Sequence, residues 1–120
     1  MEALAAGKSV ALISDAGTPL VSDPGYRLAQ TAIAADIAVI PVPGASAPMA
    51  ALVASGLPND AFLFGGFLPG KDKARRERLA QFGPVVATLL FFESPNRIGA
   101  TLQAASATLG GGRRAARAPE

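Results

Sequence analysis

The sequence predicts an α/β fold with largely parallel strands. Apolar runs rich in strand-forming residues alternate along the chain with segments of helical spacing. The apolar runs are continuous instead of alternating with polar residues, which is typical of strands covered on both faces. Glycine, proline and small hydroxyl residues follow the runs, as expected of strand-to-helix turns. We therefore expect helices layered on mostly parallel sheets.

Four apolar runs account for the predicted strands. Each is rich in branched or aromatic side chains and is followed by a turn signal. The runs lie at residues 10–14, 38–42, 62–67 and 87–93. The segment 114–119 predicts a weak fifth strand at most, because arginine and alanine dominate it.

Four segments after these runs predict helices. Asp23 and Ser46 are placed to cap the first two, because their side-chain oxygens can accept hydrogen bonds from free helical N–H groups. The last three segments end at or beside a glycine, which favours a helix stop. The predicted helices cover residues 26–33, 48–56, 71–82 and 97–109.

Composition excludes several functional classes. The chain has 120 residues and neither cysteine nor histidine, so we expect no disulfide framework, no metal site and no Ser–His–Asp triad. Tryptophan is absent and aromatic residues make up 6%, which argues against a base-stacking RNA platform. No signal peptide is recognisable, and prolines and glycines interrupt the uncharged stretch 37–59. We expect a cytoplasmic protein without a membrane span.

Charge is divided unevenly between the two halves. Residues 1–60 hold two basic and five acidic residues, whereas residues 61–120 hold nine basic and four acidic ones. A basic half suggests a polyanionic partner, although uneven surface charge alone would look the same. Five of the eight residues in 71–78 are basic, and they are either a phosphate-binding helix or an ordinary solvated face.

Ligands of open α/β sheets bind outside the carboxyl ends of the strands. Four loops of this kind are predicted, at residues 14–23, 43–47, 65–70 and 93–97. Asp15 fits a ligand contact or a turn, and Asp23 fits a cap better than a ligand contact. Glu93 ends an apolar strand, where it could bind a ligand, act as a base or pair with Arg97. Neither a dinucleotide fingerprint nor a Walker-type phosphate loop occurs.

Four sequence blocks closely resemble one family, and they occur in the family's order and spacing. They read VALISDAGTPLVSDPG at 10–25, VPGASA at 42–47, FGGFLP at 64–69 and LFFESPNR at 90–97. The family is that of the ribosomal RNA small subunit methyltransferase I, in the tetrapyrrole-methylase superfamily. The resemblance covers residues 3 to 110.

This resemblance implies a two-domain protein that binds S-adenosylmethionine between its domains. It implies methylation of the ribose 2′-oxygen of a cytidine in small-subunit (16S) ribosomal RNA, and a homodimer by analogy with the superfamily. By the same mapping, residues 1–57 belong to the first, cofactor-binding domain and residues 58–120 to the second.

The resemblance also implies site residues. The cofactor-binding residues would be Asp15, Ala16, Gly17, Thr18, Val21, Ser46, Ala47, Phe92 and Glu93. With histidine absent, Glu93 is the expected catalytic residue, and Asp15 is the other candidate for a base. The residues expected to bind RNA are Lys71, Lys73, Arg75, Arg76 and Arg97.

Two departures from the family pattern lead us to expect a piece of a longer protein. The family's N-terminal glycine-rich loop is absent, and the block that should follow the last helix matches poorly at 117–120, so Glu120 receives no role. Two alternatives therefore stay open. The chain could come from a methylase acting on a tetrapyrrole, or it could be a fragment that binds without catalysing.

Overall fold

The computed structural model describes residues 1–119, and Glu120, the last residue of the predicted second domain, lies outside this range. Helices and strands follow one another from the middle of the chain onward. The elements are α1 (Glu2–Ala5), α2 (Tyr26–Ala34), α3 (Ala47–Ala54), β1 (Phe62–Phe67), α4 (Asp72–Phe82), β2 (Thr88–Phe92) and α5 (Ile98–Leu109).

The chain forms two compact units, Met1–Ala47 and Pro48–Glu120. Their boundary lies at the start of α3, whereas the predicted domain boundary between residues 57 and 58 lies after that helix. The assignment of the two units to the two domains implied by the family resemblance stays a prediction.

After α3, the second unit is a βαβα arrangement around one small core. Strands β1 and β2 are parallel, with Phe62 opposite Thr88 and Phe64 opposite Leu90. Helix α4 connects them, as a parallel pair requires, and packs beside α5. The core contains Leu68, Leu79 and Ala104, with Phe91 packed against them. Four predicted elements, β1, α4, β2 and α5, are thereby confirmed.

Gly65 in β1 permits a close approach between that strand and an aromatic ring. A Cβ atom at this position would overlap the ring of Phe91 and lie 3.2 Å from that of Phe82. The two rings meet edge to face with centroids 5.3 Å apart. The close packing of the Phe91 ring against β1 thus requires a residue without a side chain at position 65.

The prediction of strands at 10–14 and 38–42 was wrong. These described residues form no strand, and Ile13, Ile40 and Val42 are 87%, 81% and 83% exposed. An apolar run favours extended backbone, but a strand forms only where a neighbouring segment accepts and donates its main-chain hydrogen bonds. Residues 114–119 likewise form no strand.

The prediction that Asp23 caps α2 was also wrong. The helix is preceded by Gly25, at φ +120°, and has no side-chain cap. A Cβ on Gly25 would meet the side chains of Leu20 at 2.6 Å and Leu12 at 2.8 Å. The chain therefore turns into α2 through a conformation that only glycine adopts freely, which displaces Asp23 from the capping position.

Candidate functional site

An open groove lies in the first unit. Its volume is about 430 Å³, within the range of small-molecule sites. It is lined by Leu12, Ile13, Ser14, Asp15, Ala16, Asp23, Pro24 and Gly25. Apolar residues and two aspartates thus line one groove, and this composition suits a ligand that has both an apolar ring and positive charge.

The loop after this groove folds back onto a second predicted binding segment. The hydroxyl of Thr18 donates a hydrogen bond to the carbonyl oxygen of Ala45 at 3.0 Å. Gly17, at φ +69°, stands beside the same carbonyl, where an added Cβ would be 4.0 Å away. The structure therefore places Gly17 and Thr18 next to the segment that leads into Ser46 and Ala47, as the cofactor prediction requires.

Unusual backbone follows Thr18. Leu20 and Ser22 adopt φ values of +72° and +62°, which residues with side chains rarely adopt. Between them, Val21 is 43% exposed, and its N–H donates to the carbonyl of Thr18 at 3.4 Å. Residues held in such conformations are concentrated at ligand sites, which makes this loop a candidate for ligand binding.

Glu93 lies just after β2 and is largely engaged by neighbours of its own unit. Its side chain is 5% exposed. Oε1 accepts the Ser94 N–H at 2.8 Å and lies 3.3 Å from Nε of Arg97, while Oε2 accepts the Thr101 hydroxyl at 2.6 Å. Of the roles that the sequence left open for Glu93, the ion pair with Arg97 is present.

Arg97 connects Glu93 to the loop that follows β1. Its Nη2 donates to the carbonyl oxygens of Leu68 at 2.7 Å and Pro69 at 3.2 Å. These contacts join the loop after β1 to the loop after β2 at the carboxyl ends of two parallel strands. The guanidinium of Arg97 therefore already binds the protein's own backbone. The direct contact with RNA that the sequence suggests for Arg97 stays a prediction.

Arg75, on α4, is buried against the same loop. It is 4% exposed, its Nε donates to Pro69 O at 3.2 Å, and its Nη2 donates to Gly70 O at 2.7 Å. The Arg75 guanidinium is thus occupied by the protein's own backbone, and the RNA contact expected of Arg75 from the sequence stays a prediction. The convergence of two arginines on one loop was missed, because nothing in their sequence spacing indicates a shared target.

The other basic residues of α4 face solvent. Lys73 is 90% exposed and Arg76 is 42% exposed, and Lys71, which precedes the helix, is exposed as well. Arg76 is hydrogen-bonded to Asp72 at 2.7 Å, and this bond lowers the pKa of the Asp72 carboxyl below its ordinary value. These three cations remain available for a polyanion.

Phe92, the remaining predicted site residue, contributes to an aromatic cluster at the end of β2. Its ring meets that of Phe64 edge to face with centroids 5.0 Å apart, and that of Phe67 at 5.3 Å. Within residues 1–119, no group of acidic side chains is arranged to hold a metal ion, and no helix is long and apolar enough to cross a membrane.

Comparison of the sequence with models of protein families identifies the family of the chain. The family model described as tetrapyrrole (corrin/porphyrin) methylases matches residues 1–118. The chain belongs to the tetrapyrrole methylase family. The parallel β1–β2 pair and the helices beside it are this family member's α/β architecture.

Individual relatives of this tetrapyrrole methylase share one name, ribosomal RNA small subunit methyltransferase I. The protein from Mesorhizobium japonicum is 63% identical over 95% of the chain, and that from Vibrio cholerae is 50% identical over 94%. The protein from Pseudomonas aeruginosa is 51% identical over 98%. The chain spans 39%, 39% and 42% of the lengths of these relatives.

Proposed function

We propose that this chain carries part of the site of an S-adenosylmethionine-dependent ribosomal RNA methyltransferase. The acceptor would be the ribose 2′-oxygen of a cytidine in 16S ribosomal RNA of the small subunit. The observation that carries the proposal is 63% identity, over 95% of the chain, to a protein named ribosomal RNA small subunit methyltransferase I. A cytoplasmic location and a homodimer complete the proposal, and the homodimer is taken by analogy with the superfamily.

The groove of the first unit fits the proposed cofactor. S-adenosylmethionine supplies an electrophilic methyl group on a positively charged sulfur. Asp15 and Asp23 provide negative charge beside such a cation, and Leu12 and Ile13 provide apolar surface for an adenine ring. Asp15, Ala16, Gly17, Thr18 and Val21 would hold the cofactor, and the cofactor roles of Ser46, Ala47, Phe92 and Glu93 rest on the family resemblance.

A ribose hydroxyl is a weak nucleophile, so a nearby base would assist its attack. Asp15 lines the groove, which suits a group that takes a proton from the acceptor. Both carboxylate oxygens of Glu93 already have partners, which favours a supporting role for Glu93 over the proton transfer expected of it.

RNA would meet the exposed cations Lys71, Lys73 and Arg76. They lie after the carboxyl end of β1, at the edge where open α/β sheets bind ligands. Cations that contact phosphates confer affinity and salt dependence without reading sequence, so this surface would hold the RNA and leave the choice of nucleotide to other contacts.

The proposal is tested by titrating the full-length protein calorimetrically with S-adenosylmethionine and by assaying methyl transfer to small ribosomal subunits. We expect Asp15→Asn to weaken cofactor binding by about tenfold or more, because a charge-assisted contact is lost. Asp36→Asn is the matched control, since Asp36 is an exposed carboxylate of the same unit outside the groove.

If Asp15→Asn and the wild type bound S-adenosylmethionine equally well, the groove would not be the cofactor site. Methyl transfer to a tetrapyrrole, with none to ribosomal RNA, would replace the proposed substrate. That rival is favoured only by the family model's description.

A further inference from the structure

We propose that Arg75 and Arg97 are positioning residues that fix the loop 68–70, and through it Lys71, at the carboxyl end of β1. The proposal deepens the proposed function, because Lys71 begins the surface assigned to RNA phosphates. It differs from a direct phosphate contact by either arginine, and the two possibilities respond differently to mutation.

The first argument is the number and direction of the hydrogen bonds. Three consecutive carbonyl oxygens, those of Leu68, Pro69 and Gly70, accept four hydrogen bonds from the two guanidinium groups. The donors come from different elements, Arg75 from α4 and Arg97 from the residue before α5. Because two different elements bind this loop, its backbone loses conformational freedom at both of its ends.

The second argument is that Arg97 is itself held in place. Glu93 lies 3.3 Å from its Nε, and Thr101 donates to the other oxygen of Glu93 at 2.6 Å. Thr101 is 7% exposed and Glu93 is 5% exposed at its side chain. The Arg97 side chain is 35% exposed and its Nε makes no hydrogen bond within the described residues, so the guanidinium is oriented by its ion pair with the buried Glu93 carboxylate and by the two hydrogen bonds of Nη2.

The third argument connects the loop to the exposed surface. The carbonyl of Gly70 belongs to the peptide unit that continues into Lys71, and Arg75 binds it at 2.7 Å. The Lys71 carbonyl then accepts the backbone N–H of Arg75 at 2.9 Å, which begins the hydrogen bonding of α4. Arg75 thus holds both the approach to Lys71 and the turn of helix that follows it.

The chemistry of the two side chains explains why arginine occupies both positions. A guanidinium presents several N–H donors in a rigid plane, so one group reaches two neighbouring carbonyls. A lysine ammonium keeps the charge but is a compact group on a flexible stem. Arginine-to-lysine variants therefore distinguish two roles. They should impair a positioning role, which needs the planar guanidinium, and largely preserve a phosphate contact, which needs only the charge.

The test uses the full-length protein with Arg97→Lys and Arg75→Lys, and Arg76→Lys as the matched control from the exposed side of α4. The first readout is the rate of native-state cleavage after Lys71 by a lysine-specific protease, followed by mass. Cleavage requires local opening, so we expect an increase of about tenfold for the two positioning variants and no change for the control.

The second readout is binding to 16S ribosomal RNA as a function of salt, measured with Arg97→Gln beside the lysine variants. We expect all variants at Arg75 and Arg97 to weaken binding without altering its salt slope. Loss of a direct phosphate contact in Arg97→Gln would instead reduce that slope by about 0.7 to 0.9, and Arg97→Lys would bind nearly as the wild type does. That pattern would overturn the proposal.

Thr101→Val provides a second, milder variant that leaves both arginines in place. It removes the hydroxyl that holds Glu93, and we expect a smaller increase in cleavage after Lys71. Unchanged cleavage in Arg97→Lys, Arg75→Lys and Thr101→Val would refute the positioning role. If the wild type binds no RNA, the proposed function fails, and the cleavage rates alone decide whether the arginines hold the loop.

Discussion

The two compact units contain similar apolar runs in different states. In the second unit, β1 and β2 pair with each other, and Leu79 beneath them is 1% exposed. In the first unit, the runs 10–14 and 38–42 are unpaired, and Ile40 is 81% exposed. An apolar run therefore becomes a strand only when a second segment pairs with it, because each needs the other's main-chain donors and acceptors.

The largest expected effect comes from the core of the second unit. Leu79→Ala should lower the free energy of unfolding by about 2 to 5 kcal/mol, because it removes a buried side chain and leaves a cavity. Ile40→Ala, its counterpart in the first unit, should change it by less than about 0.5 kcal/mol. Urea unfolding measures both, and similar losses would mean that Ile40 is covered in solution.

Gly65→Ala tests the packing of an aromatic ring against the paired strands. The added methyl group would overlap the ring of Phe91, and such overpacking costs about 1 to 3 kcal/mol of stability. Gly99→Ala is the control, because its Cβ would meet nothing within 4 Å and alanine favours the helix. Thermal unfolding distinguishes them, and a Gly65→Ala protein as stable as Gly99→Ala would contradict this packing.

Buried and exposed hydroxyls provide a further contrast between the units. Thr101→Val should cost about 1 to 3 kcal/mol of stability, because Glu93 loses a partner while remaining buried. Thr31→Val should change stability by less than about 0.5 kcal/mol, since the hydroxyl of Thr31 is exposed and bonds only to Arg27 O of its own helix. Equal effects in urea unfolding would argue against a buried polar network around Glu93.

The smallest expected effect concerns the exposed ion pair at the start of α4. The hydrogen bond from Arg76 lowers the pKa of Asp72 below its ordinary value of 3.8. A carboxyl whose pKa is lower in the folded state stabilises it above the unfolded value and stops doing so as pH falls through the folded value. The stability difference between wild type and Asp72→Asn should therefore be constant from pH 7 to pH 5, begin to decrease near pH 3.8 and vanish only below the lowered pKa of the folded state.

Stability measured by urea unfolding across this pH range checks the linkage. Glu77→Gln is a suitable comparison, because the Glu77 carboxylate lies 4.0 Å from Lys73 in a looser pair on the same helix. A difference for Asp72→Asn that persisted at pH 2 would show that the substitution acts through something other than the charge of Asp72.

Much of the second unit was predictable from its sequence. The run 62–67, the charged segment before Gly83 and the segment before Gly110 each contain their own start or stop signal, so β1, α4 and α5 were found nearly to the residue. The pairing of Glu93 with Arg97 was foreseen as one alternative, because four residues separate them. Local pattern suffices where both partners of an interaction are close in sequence or share one element.

The predictions that were wrong depended on distant partners. Nothing in the runs 10–14 and 38–42 indicates whether a neighbouring strand is present, and nothing near Asp23 indicates that Leu12 and Leu20 crowd Gly25. The cofactor residues from Asp15 to Ala47 stay predictions. Two of them, Asp15 and Ala16, line the groove, and Thr18 is hydrogen-bonded to Ala45 in the segment that leads to Ser46 and Ala47, which supports these predictions.

The sequence by itself determined the family, the order of helices and strands in the second unit, and the basic character of α4. Which of these cations are buried and which are exposed depends on the tertiary structure. Arg75 and Arg76 are neighbours in sequence, yet one is 4% exposed and bound to a loop while the other's side chain is 42% exposed. The physical reason is that successive residues point to different sides of a helix, and the fold alone determines which side meets the loop and which meets solvent.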